Sequence, residues 1–228
     1  MRAAALLAIA GTLAAQPAAA EITNAPARKS TSAAKVETFA SGLVNPWGMA
    51  FLPDGRVLVT ERPGRMRLIG KDGSLSQPLA GVPQVVARGQ GGLLDVALAP
   101  DFVSSRTMYF TFSEPRGEGT NGTSVARAKL VAVGNGGKLE DVQVVFRQEP
   151  AATGGMHFGS RLAFARDGNL FVTLGERFHS RDRAQDLGTH FGKVVRIRPD
   201  GSVPPDNPFV GKSGALPEIW SYGHRNPQ

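Results

Sequence analysis

The chain reads as an all-β protein of the β-propeller type. A hairpin of one design occurs three times, a second strand frame recurs behind it, and no stretch has the 3.6-residue periodicity of a useful amphipathic helix. In the hairpin, Ala50-Phe-Leu-Pro-Asp-Gly55 leads into Arg56-Val-Leu-Val-Thr-Glu61, and Ala97-Leu-Ala-Pro-Asp-Phe102 leads into Thr107-Met-Tyr-Phe-Thr-Phe112. Ala163-Phe-Ala-Arg-Asp-Gly168 then leads into Asn169-Leu-Phe-Val-Thr-Leu174. The second frame, Gly-x-apolar-x-Arg-apolar-x-x-Asp-Gly, covers Gly64 to Gly73 and Gly192 to Gly201, with Thr123 to Val131 as a comparable strand between them. The hairpins start 47 and 66 residues apart, at Ala50, Ala97 and Ala163, near the ~40 to 50 residues of a four-stranded blade. With 28 Gly and 16 Pro, the composition suits many short strands joined by turns.

Taken in order, residues 1–20 combine Arg2, an apolar run from Ala3 to Ala15 and Ala18-Ala19-Ala20, the pattern of a cleaved secretory signal. Residues 21–35 are rich in Ser, Thr, Ala, Asn and Pro without periodicity and read as a flexible N-terminus. The propeller domain is expected over residues 36–228. No later stretch is apolar enough to span a membrane, so the reading is a periplasmic or secreted protein with no membrane span. The chain has no cysteine, which excludes disulfides and thiolate metal sites. Its formal charge of +7 falls only to +6 without the signal, and the basic residues are scattered rather than interleaved with aromatics, so nucleic acid is not the expected partner.

Gly154 to Glu176 carries the most pointed signal. It places His157 among Gly154, Gly155 and Gly159, ahead of strands expected at Arg161–Ala165 and Asn169–Leu174 around an Asp167-Gly168 turn. Asp-Gly supplies the positive φ angles of a tight hairpin turn, and the glycines clear bulk so that a flat ligand can approach the backbone. Blades arranged about an axis bring the loops before their first strands to one mouth. Those loops are Val44 to Trp47, Ala87 to Gly92, Thr153 to Ser160 and Ser221 to Gln228. They offer the amide of Gln90, the imidazole of His157, the guanidinium fork of Arg225 and the amide of Asn226, a set suited to a flat anionic ligand.

Gly89-Gln-Gly-Gly-Leu-Leu94, His157 with Arg161, Ala184-Gln-Asp-Leu187, Asp206-Asn-Pro-Phe209 and Glu218-Ile-Trp-Ser-Tyr-Gly-His-Arg-Asn-Pro-Gln228 follow one another in this order. Together they make the chain, over Val36 to Gln228, resemble the pyrroloquinoline-quinone (PQQ)-dependent aldose sugar dehydrogenases, relatives of soluble glucose dehydrogenase. The resemblance implies a six-bladed propeller oxidising the C1 hydroxyl of aldoses such as glucose to the lactone. His157 matches the general base, hydride passing to PQQ; Gln90, Arg225 and Asn226 match cofactor-contacting positions, Arg225 also stabilising negative charge on the reduced cofactor. The implied partners are an aldose and an external electron acceptor, with a homodimer left open.

Two departures accompany the resemblance. Met156 stands where soluble glucose dehydrogenase has an acidic residue, so a charge that would orient the histidine is expected to be missing. At ~40 to 50 residues per blade the chain holds about half to two-thirds of a six-bladed ring. The calcium ligands of the family are accordingly expected beyond Gln228, none is assigned here, and an inactive truncated product is an alternative. Two other readings compete: a propeller that binds carbohydrate or protein without catalysis, and a calcium-dependent lactone or ester hydrolase, which would need inward carboxylates from Glu61, Asp95 and Glu176.

Overall fold

The computed structural model describes residues 35–134 and 136–228. The expected signal over 1–20 and the N-terminal stretch up to residue 34 lie outside the described residues. From Thr38 onward the chain forms one compact unit, and it is all-β. Its strands are β1 (Pro46–Phe51), β2 (Val57–Glu61), β3 (Arg65–Ile69), β4 (Leu93–Leu98), β5 (Thr107–Pro115), β6 (Asn121–Val133), β7 (Gly136–Arg147), β8 (Gly159–Phe164), β9 (Leu170–Leu174), β10 (Lys193–Ile197) and β11 (Ile219–Tyr222). The described helix amounts to one turn, α1 (Phe102–Ser105), and a 3-10 segment, Arg181–Gln185. The strands form three antiparallel sheets in chain order, β1-β2-β3, β4-β5-β6-β7 and β8-β9-β10-β11. The second sheet lies between the others, its first strand β4 packed against β1 and against β8. Three blade-like sheets thus stand in series, without closing a ring among the described residues.

The Asp-Gly turns are all built alike, and they differ from the expected tight turn. Only the glycine has positive φ, at Gly55, Gly73, Gly168 and Gly201; the preceding aspartate does not. In each, the glycine N–H donates three residues back, and the Asp Oδ1 accepts the amide two residues on: Asp54 from Arg56, Asp72 from Ser74, Asp167 from Asn169, Asp200 from Ser202. This is a three-residue loop with a glycine bulge. In the second sheet, Phe102 replaces the glycine and the chain makes α1 instead, closing through Arg106 at φ 57°. Strand β7 was not anticipated, since the alternation in Gly136-Gly-Lys-Leu-Glu-Asp-Val is broken by charge, and β11 occupies part of a segment read as loop.

One side chain recurs at the joint between sheets, buried at Thr60 and Thr111 and half-buried at Thr173. In β2, β5 and β9 a threonine accepts the backbone N–H of the first strand of its own sheet: Gly48 to Thr60, Asp95 to Thr111 and Arg161 to Thr173. Each hydroxyl then donates to a carbonyl further along the chain, at Leu94, Ser160 and Pro227 respectively. All three accepted amides fall within register shifts of the β1-β2, β4-β5 and β8-β9 pairings. The hydroxyl satisfies an amide that the bulge takes out of the ladder and ties it to the neighbouring segment.

Burial follows the same layers. Leu58, Met66, Leu68, Leu93, Phe110 and Phe112 fill the space between the first two sheets, and Tyr109, Val125, Leu170, Val172, Val195 and Ile197 that between the second and third. Strand β5 is buried on both faces, sending Met108, Phe110 and Phe112 to one core and Tyr109 to the other. The outer face of the first sheet leaves Phe39, Met49 and Phe51 exposed.

Thr111→Val keeps the shape but strands the Asp95 N–H and the Ser160 carbonyl in a fully buried position. It should destabilise the chain by about 2 to 4 kcal/mol, read as a lowered urea midpoint at unchanged slope. Among the turns, Gly168→Ala meets no atom within 4 Å and should cost only about 1 kcal/mol for its left-handed backbone. Gly201→Ala would bring its Cβ to 2.2 Å from the Val145 carbonyl of the second sheet and should cost distinctly more.

Candidate functional site

Three of the four loops expected at one mouth meet, and backbone and side-chain hydrogen bonds join them. His157 lies just before β8 with φ 51°, a left-handed conformation uncommon for a non-glycine residue. Its N–H donates to Gln90 Oε1 at 2.8 Å, while the Gln90 N–H donates to the Gly155 carbonyl at 2.7 Å. Asn226 Oδ1 accepts the Gly159 N–H at 2.9 Å, and the Arg225 carbonyl accepts the Glu176 N–H at 2.9 Å. Gln90 and Asn226 therefore use their amide oxygens to shape the histidine loop, keeping the NH2 side of each as a donor. The Val44 to Trp47 loop stays out of this group; Trp47 instead lies under the guanidinium of Arg161.

The imidazole of His157 is buried, its Nδ1 2.7 Å from Glu176 Oε1. The orienting charge expected to be missing at Met156 is thus supplied from the end of β9. The geometry depends on Gly175, where a Cβ would stand 2.1 Å from the His157 carbonyl and 2.9 Å from Asn226 Oδ1. Glu176 Oε2 is buried with no hydrogen-bond partner among the described residues, and Arg225, 77% exposed, brings its Nε to 4.0 Å from Oε1. Beside them opens a cleft of about 830 Å³ lined by Phe178, Arg181, Gln185, His224 and Arg225 together with Glu176. Arg181, Arg225, His179, His224 and the Gln185 amide give this cleft donors that fit an acidic group such as PQQ, with Asp182 and Glu176 as its acidic members; Gln90, His157 and Asn226 are not among its lining residues.

The glycines do less for a ligand than expected. Gly155 and Gly159 are crowded by other backbone, at Arg88 and Thr173, and only Gly154 of the three faces open space. The carboxylates required by a hydrolase do not gather. Glu61 binds the Val44 amide and Arg65, and Asp95 binds Arg161 and the Leu162 amide. Burial pushes the Asp95 carboxyl up, against those two partners. Among the described residues no group of three or more His, Cys, Asp or Glu side chains is placed to hold a metal, so calcium enters no step below. The Asp206-Asn-Pro-Phe209 motif is structural: Asn207 Nδ2 donates to the Arg196 and Pro217 carbonyls, and its Oδ1 accepts from Arg196 Nε.

Two buried cations escaped the sequence reading. Arg177 follows Glu176, and burial pushes its guanidinium down to about 10, still protonated at neutral pH. Lys193 braces the cleft rim: its Nζ donates to the carbonyls of Arg183, Ala184 and Phe191 at 3.2, 2.9 and 2.7 Å, holding the Arg181–Gln185 turn to β10. Neither position differs in sequence from an ordinary surface cation.

The glucose / sorbosone dehydrogenase family matches residues 43–228. The chain belongs to that family. It is 48% identical over 194 residues to the aldose sugar dehydrogenase YliI of Escherichia coli K12, covering 85% of this chain and 52% of that protein. Among solved structures, a glucose dehydrogenase superposes with TM-score 0.82 at 51% identity, covering 86% of this chain and 56% of that one. The PQQ-bound aldose sugar dehydrogenase of Streptomyces coelicolor superposes with TM-score 0.71 at 34% identity, covering 84% and 54%. The chain spans about half the length of the curated relatives it matches. Among the described residues, no helix is long and apolar enough to cross a membrane.

Burial pushes Lys193 down to about 8 from its ordinary 10.5, an effect opposed by Asp186 and reinforced by Arg183. Between those values the unfolded chain binds more protons than the folded one, so this residue makes stability rise with pH. Thermal melts from pH 7 to 10.5 should show the wild type gaining on Lys193→Met across that window; parallel curves would contradict the assignment.

Proposed function

We propose that this chain forms the histidine-bearing part of an exported, PQQ-dependent aldose dehydrogenase whose complete form is a six-bladed propeller. Family membership supports a sugar oxidoreductase; the observation that carries the finer reading is the buried His157–Glu176 pair, whose carboxylate borders a cleft also lined by Arg181, Arg225, His179 and His224. With Nδ1–H donated to Glu176, His157 keeps a lone pair on Nε2. That nitrogen takes the proton of the sugar C1 hydroxyl while the C1 hydrogen leaves with its electron pair, and the C1–O bond becomes the lactone carbonyl. Glu176 stabilises the imidazolium so formed. PQQ, when bound, would supply the hydride acceptor, with an external acceptor for its electrons. Arg225 would hold an acidic or quinone oxygen of that group, and the NH2 groups of Gln90 and Asn226 would donate to others. The exposed apolar face of the first sheet is the surface that ring closure would cover.

The test is dye-linked oxidation of an aldose panel, with and without PQQ and calcium, by the chain as given and by a version extended to its relatives' length. Quinone-dependent activity is expected in the extended protein, reduced at least about 10²-fold by His157→Ala and by Glu176→Gln. Sugar binding that is indifferent to quinone, with no oxidation in either form, would replace this reading with a binding propeller.

A further inference from the structure

Arg177 is 2% exposed and, among the described residues, has no carboxylate partner within ion-pair distance. Its guanidinium is satisfied by neutral oxygens. Nε donates to the Met156 carbonyl at 3.1 Å, one Nη donates to the Asn121 carbonyl at 3.1 Å, and the other to Asn121 Oδ1 at 2.7 Å and the Gly154 carbonyl at 3.2 Å. Its plane lies over the Phe158 ring, 4.1 Å from the centroid. Its own N–H donates to the His157 carbonyl at 3.3 Å. One residue thus grips the loop at 154, 156, 157 and 158, on both sides of the candidate base, while following directly on Glu176.

Burying a guanidinium without a counter-charge is costly, and Arg177 itself has φ 63°. A fold needing only stability at this point would be served by an apolar side chain over Phe158. What an apolar residue cannot do is donate to several carbonyls of one loop in a fixed planar geometry. We propose that Arg177 is a positioning residue: it holds the 154–158 loop so that the left-handed His157 keeps its imidazole shielded and seated on Glu176. The inference rests on the reading of His157 as the base.

The test uses four histidines as reporters. The purified chain and its Arg177→Lys and Arg177→Ala variants are treated with diethylpyrocarbonate without cofactor, and modification is followed for each histidine by peptide mass spectrometry. His190, 3% exposed against 7% for His157, is the internal control. Arg177→Lys keeps a buried cation but loses the fork; it should raise the His157 rate at least about 10-fold and leave His190 unchanged, and Arg177→Ala should raise it further. In the quinone-loaded, extended protein, kcat should fall about 10²-fold with the aldose KM within about 3-fold, and added guanidinium should partly restore the alanine variant. An unchanged His157 rate, an equal rise at His190, or failure of the lysine variant to fold would overturn the proposal. If His157→Ala remained active, the reading of the base would fail while the reactivity contrast still tested the clamp.

Discussion

The threonine hydroxyls at the sheet joints are the constraint on which the rest depends. A bulge frees one amide at the start of each blade-like sheet, and a buried amide without a partner would cost about 1 to 3 kcal/mol. Thr60, Thr111 and Thr173 each accept that amide and donate in turn to a carbonyl of the next segment, so one side chain satisfies the bulge and sets the spacing to its neighbour. The site inherits this spacing. Thr111 fixes Ser160, three residues past His157, and Thr173 fixes Pro227, next to Asn226, which holds the Gly159 amide. Loops from three stretches of sequence therefore meet because the sheets behind them are locked pairwise.

Much of this is legible in the sequence itself. The three hairpins and the Asp-Gly turns follow from local chemistry, which a sequence displays directly, and the convergence of Gln90, His157, Arg225 and Asn226 follows from blade repetition. The turn type is not legible, because Asp-Gly serves two hairpin designs and only the φ of the aspartate separates them. The joint threonines were visible as the fifth residue of each repeated hexapeptide, in Arg56 to Glu61, Thr107 to Phe112 and Asn169 to Leu174. Threonine is a common strand residue, so its presence there carried no separate signal. Glu176 and Arg177 were illegible in their roles, since pairing with His157 depends on how closely Gly175 lets two strands-worth of backbone pass.

Backbone strain is concentrated where those loops meet. His157, Ser160, Arg177 and Phe178 are four of the eight described non-glycine residues with positive φ, and each such conformation costs of order 1 to 3 kcal/mol. Such a cluster persists only where surrounding bonds over-determine it. The Gln90 oxygen on the His157 amide, the Asn226 oxygen on the Gly159 amide and the Arg177 guanidinium on the flanking carbonyls supply that over-determination. Phe178, edge-on to the His157 ring at 5.4 Å and 44% exposed, is the apolar group this arrangement pushes into the cleft.

The charges divide by burial in a way that bears on the proton abstraction proposed for His157. Glu176 and His157 are shielded, so the electrostatic gain when a proton reaches the imidazole is large, and that gain is present only after the transfer begins. Arg225 lies 4.0 Å from the same carboxylate but is mostly in water, where its attraction to Glu176 is weak. It is therefore free to turn toward an acidic ligand without first breaking a strong ion pair. Arg177, the nearer cation in sequence, cannot turn, because its donors are spent on backbone. Arg177 is spent on the histidine loop and Arg225 is left mostly in water, a difference that their buried and exposed positions impose.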